Sequence, residues 1–181
     1  MLRWWRRSED PLDHVDPAAA PPRFAPLVAD ALQARRRYQE LVAGLRPGPV
    51  RDRLLETQEQ VDAGVAAVWS TVTRAVELER VLVSLDPQRI TDECKRAKRS
   101  GADPTLEEAL AQRFSSVQRL LNALDDTEER LRLLDARLSA AVARGAEVAM
   151  SGGTGAEAVG AELAGVVDEL TALRSALDEV G

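Results

Sequence analysis

Apolar residues recur along most of this chain at spacings of three, four and seven, the period of one helix face. The clearest ladder is Leu110, Phe114, Val117, Leu121, Leu124, Leu131, Leu138 and Val142, which climbs in alternating steps of four and three. Two of its rungs are polar, Glu128 and Asp135. Such a ladder predicts a helix reaching about Met150, roughly 69 Å long, packed in coiled-coil fashion. A second long helix is expected from about Val50 to Leu85, roughly 52 Å. Its stripe is Leu54, Val61, Val65, Val68, Val72, Ala75 and Leu82, widened by Trp69, Val76 and Val83.

Breakers divide the rest. Arg46-Pro47-Gly48-Pro49 stops a first helix that begins near Pro26 and passes through Leu32, Tyr38 and Leu41. Asp86-Pro87 ends the second, and Asp86 is placed to cap the next helix. That short helix, over about Gln88–Arg99, is closed by Ser100-Gly101-Ala102-Asp103-Pro104, where Asp103 or Thr105 can cap the long one. Ser151–Gly155 reads as a Gly-rich hinge before a last helix through Val159, Leu163, Val166, Leu170, Leu173 and Leu177. Gly160 and Gly165 each cost that helix about 1 kcal/mol against Ala, so it depends on docking. No β-type alternation and no internal repeat is visible.

These elements predict an all-α fold. A long antiparallel hairpin, coiled-coil-like, packs with shorter helices into an elongated bundle. The expected divisions are an irregular, Pro-rich leader at 1–25, the helical bundle at 26–150, the hinge at 151–155 and an acidic C-terminal helix at 156–181.

Composition narrows the function classes. The 181 residues hold 24 Lys plus Arg against 30 Asp plus Glu, a net charge of −6, which argues against generic binding to nucleic-acid phosphates. Residues 146–181 carry seven acids and one base, so all the net acidity lies there. One cysteine, Cys94, and one histidine, His14, exclude an internal disulfide and the usual zinc sets. Basic residues are 22 Arg and two Lys, a bias that fits a GC-rich bacterial genome. No secretory pattern and no apolar stretch of roughly 20 residues is present, so a cytoplasmic protein is expected.

Candidate chemistry is sparse. Leu2-Arg3-Trp4-Trp5-Arg6-Arg7 combines indoles with arginines, the composition of a contact with an anionic membrane face or a partner. The bland reading is a terminus packed on its own bundle. Arg89 with Lys95, Arg96, Lys98 and Arg99 forms the densest basic patch, suited to a phosphate, an anionic lipid or the acidic last helix, though a charge run is usually a solvated face. Arg35-Arg36-Arg37 points three ways on a helix and reads as solubilising. Cys94 has basic neighbours but no nearby base in sequence, so nucleophilic catalysis is not expected. Ser151–Gly155 lacks the Lys and following Ser/Thr of a phosphate loop. Asp125-Asp126 and Glu128-Glu129 lack the histidine of a di-metal carboxylate site. Glu128 and Asp135 read as polar rungs that fix register, with Arg119 and Arg132 as available counter-charges.

The expectation is therefore a non-enzymatic, self-associating coiled-coil scaffold or adaptor that mediates protein–protein contact, with itself or another helical partner. No cofactor, metal, small-molecule substrate or nucleic acid is expected. The alternative is a peripheral membrane-surface protein recruited by Leu2–Arg7, at the inner membrane face. A third reading, a helical nucleic-acid binder using Lys95–Arg99, meets the charge objection. In general layout the chain is similar to the phage-shock protein A family, with its long helical hairpins and membrane-contacting N-termini. No motif here matches that family, and no residue role is carried over.

Overall fold

Prolines and short acidic caps set the helix boundaries. In a computed structural model, which describes residues 10–152 and 155–180, the helices are α1 (Ala25–Gly44), α2 (Pro49–Leu85), α3 (Pro87–Ser100), α4 (Pro104–Met150) and α5 (Ala156–Val180). No strand occurs among the described residues. Each of α1 to α4 has Pro in its first turn, where the missing N–H is no loss. Asp86 ends α2 in the left-handed region (φ 51°), and its carboxylate accepts from the Arg89 N–H at 3.1 Å to start α3. Gly101 (φ 61°) stops α3, and Asp103 accepts from the Thr105 N–H at 2.8 Å to open α4.

Side-chain pairs fix the topology. Tyr38 meets Leu54 and Arg35 meets Asp62, so α1 runs antiparallel to α2. Gly145 packs on Tyr38, and Asp135 lies near Asp30, so α1 runs parallel to α4. Gly64 lies beside both Leu138 and Val167. With Arg137–Glu169 and Arg144–Glu162, this makes α5 antiparallel to α4 and parallel to α2. The centre of the body is the antiparallel pair α2/α4. One of its two grooves is filled by α1 and the other by α5, and α1 and α5 do not touch.

The core is aliphatic, as the low aromatic content requires. Leu54, Leu78, Leu131, Leu138, Leu163 and Leu170 are fully buried, each contributing about 1.5–3 kcal/mol of transfer free energy. Two rings join them, Phe24 and Tyr38. The Tyr38 hydroxyl donates to the Leu54 carbonyl at 3.1 Å, and burial raises its pKa. A Cβ on Gly145 would stand 2.8 Å from the Tyr38 ring, so that glycine lets α4 approach α1. The last helix is docked, burying Val159, Leu163, Val166, Leu170, Leu173 and Leu177 despite its glycines.

Two expectations need correction, those for Arg35 and Val83. Residues 10–24 carry no α-helix, as their prolines predict. They form 3-10 turns at Pro11–His14 and Pro17–Ala19 and bury Leu12, Ala20 and Phe24. Arg35 is not a solubilising charge. It is 5% exposed, pairs with Asp62 at 2.7 Å and with Asp10 and Asp13 of the leader, and so holds that leader down. Burial alone would lower its pKa, but the carboxylates outweigh it and raise it. Val83 does not widen the α2 stripe; it is 75% exposed, because α2 there has passed most of its neighbours. The seam rungs Leu124 and Leu131 are 2% and 0% exposed within one chain, so the body consumes them without a second copy.

Candidate functional site

The central pair is not equal in length, and the excess of α4 makes a second region. Counting equal steps from the Gly64–Leu138 contact puts Leu85, the end of α2, level with Val117. The same counting from Arg137–Glu169 puts Val180, the end of α5, level with Asp126. Arg23, just before α1, reaches Asp125 and Glu128 at 2.9 and 2.6 Å. The segment Pro104–Ser116 of α4 therefore extends beyond α1, α2 and α5, with α3 folded back along it.

This two-helix tip is incompletely covered. α3 buries only Ile90 and Ala97, too little apolar surface to close over the α4 stripe. The seam prediction fails here for that reason. Val117, Leu124, Leu131, Leu138 and Val142 are buried and Leu121 is half-buried, but Leu110 is only half-buried and Phe114 is 37% exposed. Leu106, one turn before Leu110 on the same stripe, is 51% exposed. Between α3 and α4 lies a cavity of about 200 Å³. Its floor is Ala97, Leu110, Ala111 and Phe114, and its rim carries Lys95 and Lys98 on α3 and Glu107 on α4. Cys94 lines it too, with its thiol donating to the Leu110 carbonyl at 3.2 Å. That is a packing role, and His14, in a turn of the leader, is not among the groove's lining residues.

The structure thus joins two features that the sequence presents separately, the basic patch and the N-terminal end of the seam. The patch itself divides. Arg89 is paired with Glu93 at 2.9 Å, and Arg113 of α4 approaches the same carboxylate at 3.5 Å. Arg96 and Arg99 donate to the backbone carbonyls of Asp92 and Lys95. Among the described residues, Lys95 and Lys98 have no ion-pair partner. The acidic last helix does not serve as one. Its Glu162, Glu169 and Asp178 pair with Arg144, Arg137 and Arg74 of the body.

The polar rungs of α4 have different fates. Glu128 pairs with Arg132, as expected, and also with Arg23. Arg119 instead donates to the Ser116 hydroxyl at 3.1 Å. Asp135 is buried, its Oδ1 has no hydrogen-bond partner, and its pKa is pushed up to about 6 by burial and by the nearby Asp30. Gly152 and Gly155, within the hinge, have positive φ, the left-handed region that favours glycine.

No group of three or more potential metal ligands occurs among the described residues. No helix there is long and apolar enough to cross a membrane. The membrane or partner contact expected of Leu2, Arg3, Trp4, Trp5, Arg6 and Arg7 lies outside the described residues. Set against family models, curated proteins and solved structures, the chain matches none.

Proposed function

We propose that this chain is a non-enzymatic helical scaffold or adaptor, with the α3–α4 tip as its binding face. One observation carries the reading. The apolar stripe of α4 continues past the four-helix body as Leu106, Leu110 and Phe114, where only one short helix flanks it. A run of exposed apolar side chains rimmed by polar ones is characteristic of a protein contact surface. The four-helix body supplies rigidity.

The test is a photo-crosslinking amino acid at Ala111, on the groove floor, compared with the same group at Ala176, on the outer face of α5. In the cells that make the protein, position 111 is expected to give a discrete adduct with another polypeptide, lost on Phe114→Ser. Identical patterns at the two positions, or none at either, would sink the proposal. The membrane-surface alternative rests on the Trp4-Trp5 pair among arginines. Pelleting with phosphatidylserine vesicles that disappears in Trp4→Ala/Trp5→Ala would favour it.

A further inference from the structure

The groove at the tip has a shape and a charge, and together they describe its occupant. Shape comes first. In the body, each groove between the antiparallel helices α2 and α4 is occupied by a third helix, α1 on one side and α5 on the other. The groove between α3 and α4 is built from the same kind of walls and, among the described residues, has no third helix from this chain. Its floor is hydrocarbon, so an occupant must bring apolar atoms. A cavity of about 200 Å³ has room for a large side chain, since about 150 Å³ suffices for a benzene ring.

Charge comes second. The chain as a whole carries −6, yet α3 carries five cations against Asp92 and Glu93. Glu93 is already engaged by Arg89 and Arg113. Both lysines of the chain stand on the α3 side of this one groove. Their stems can lie along an apolar ligand while the ammonium groups remain free to pair. On the opposite rim stands Glu107. The charged rim of the groove is therefore asymmetric, with Lys95 and Lys98 on α3 and Glu107 on α4.

We propose that the tip captures an acidic amphipathic helix of a partner protein. A bulky Leu or aromatic anchor of that helix enters the cavity. Its Asp or Glu residues, one turn to either side of the anchor, lie on the flank that faces Lys95 and Lys98. The flank facing Glu107 is neutral or basic. This assignment rests on the tip being the binding face, and it adds the chemistry of what binds.

Fluorescence anisotropy with three labelled helical peptides of about 16 residues tests it. The first has Leu and Phe at helical spacing with Glu on one flank. The second replaces each Glu by Lys. The third keeps Glu but replaces the apolar anchors by Ser. The first is expected to bind at least tenfold more tightly than the others. Lys95→Glu/Lys98→Glu should reverse the preference between the first two peptides. Both lysines are exposed, so the circular dichroism and melting of the double variant should match the parent. Equal binding of acidic and basic peptides, retention by the Ser peptide, or no binding at all would overturn the assignment. So would tighter binding, lost in the same double variant, to phosphatidylserine vesicles or to single-stranded DNA. An adduct at Ala111 that excess acidic peptide does not suppress would leave the tip as a binding face and remove the acidic helix as its ligand.

Discussion

Leu131 and Phe114 sit on one helix and one stripe, seventeen residues apart, and their surroundings differ completely. At Leu131, α4 has α1, α2 and α5 around it, and the side chain is fully buried. At Phe114 it has α3, and over a third of the side chain meets solvent. The charges divide less sharply, since Arg89 and Arg113 at the tip pair with Glu93. Body arginines bridge helices to carboxylates, as in Arg35–Asp62, Arg74–Asp178 and Arg137–Glu169. The tip lysines bridge nothing among the described residues. A hydrophobic period therefore specifies which face of a helix is sticky, while the number of neighbours decides whether that face becomes core or contact surface.

The largest expected effect sets the two regions against each other by core truncation. Leu131→Ala should cost about 3–4 kcal/mol, because four packed helices cannot collapse into the cavity. Leu110→Ala at the tip should cost less than about 1.5 kcal/mol, since water already reaches its surroundings. Guanidinium unfolding measures both. Equal costs would mean that tip and body are a single packing unit.

Next in size is Arg35→Ala, expected to cost about 2–3 kcal/mol. It leaves Asp62 without its partner and releases Asp10 and Asp13. Limited proteolysis should then cut within residues 10–24 well before the helices. An unchanged cleavage pattern would show that Leu12 and Phe24 alone hold the leader.

Asp135 tests the body from its weakest point. Its folded pKa, about 6, lies above the ordinary carboxylate value. The folded chain therefore holds a proton that the unfolded chain has lost over the window between them. The contribution of Asp135 to stability should be greatest below about pH 4 and be lost as pH rises through 6. Asp135→Asn should remove that loss and add about 1–2 kcal/mol at pH 8, after allowance for screening by solvent. Chemical denaturation at pH 4.5 and pH 8 gives the answer. An identical change in wild type and Asp135→Asn across that interval would contradict the assignment.

Much of this division is legible in the sequence, and the failures have definite causes. Helix ends are readable because Pro26, Pro49, Pro87, Asp86 and Asp103 act locally, through missing N–H groups and caps. The docking of α5 is foreshadowed by glycines that an undocked helix could not tolerate. Arg35 reads wrongly because its partners are 22 to 27 residues away, and no local rule ties a helix arginine to a leader aspartate. The tip stays hidden because the ladder from Leu110 to Val142 is uniform in sequence. The signal that could have found it is the poverty of α3, where Ile90 is the one large aliphatic side chain in fourteen residues.

The smallest expected effect bears most directly on function. Phe114→Ser removes a large ring from the groove floor, and in a packed core such a change would cost about 3–5 kcal/mol. Here it should cost less than about 1 kcal/mol, since the ring is partly solvated before the change and no neighbouring helix closes over it. Amide exchange gives an independent reading of the same point. Backbone N–H groups between Pro104 and Ser116 should exchange faster than those between Leu124 and Val148, because opening the tip exposes far less apolar surface than opening the body. If Phe114→Ser leaves stability and exchange nearly unchanged while abolishing the Ala111 adduct, the ring is retained for contact and not for folding. If it melts the whole chain, the tip is part of the cooperative core, and the binding face must be sought elsewhere.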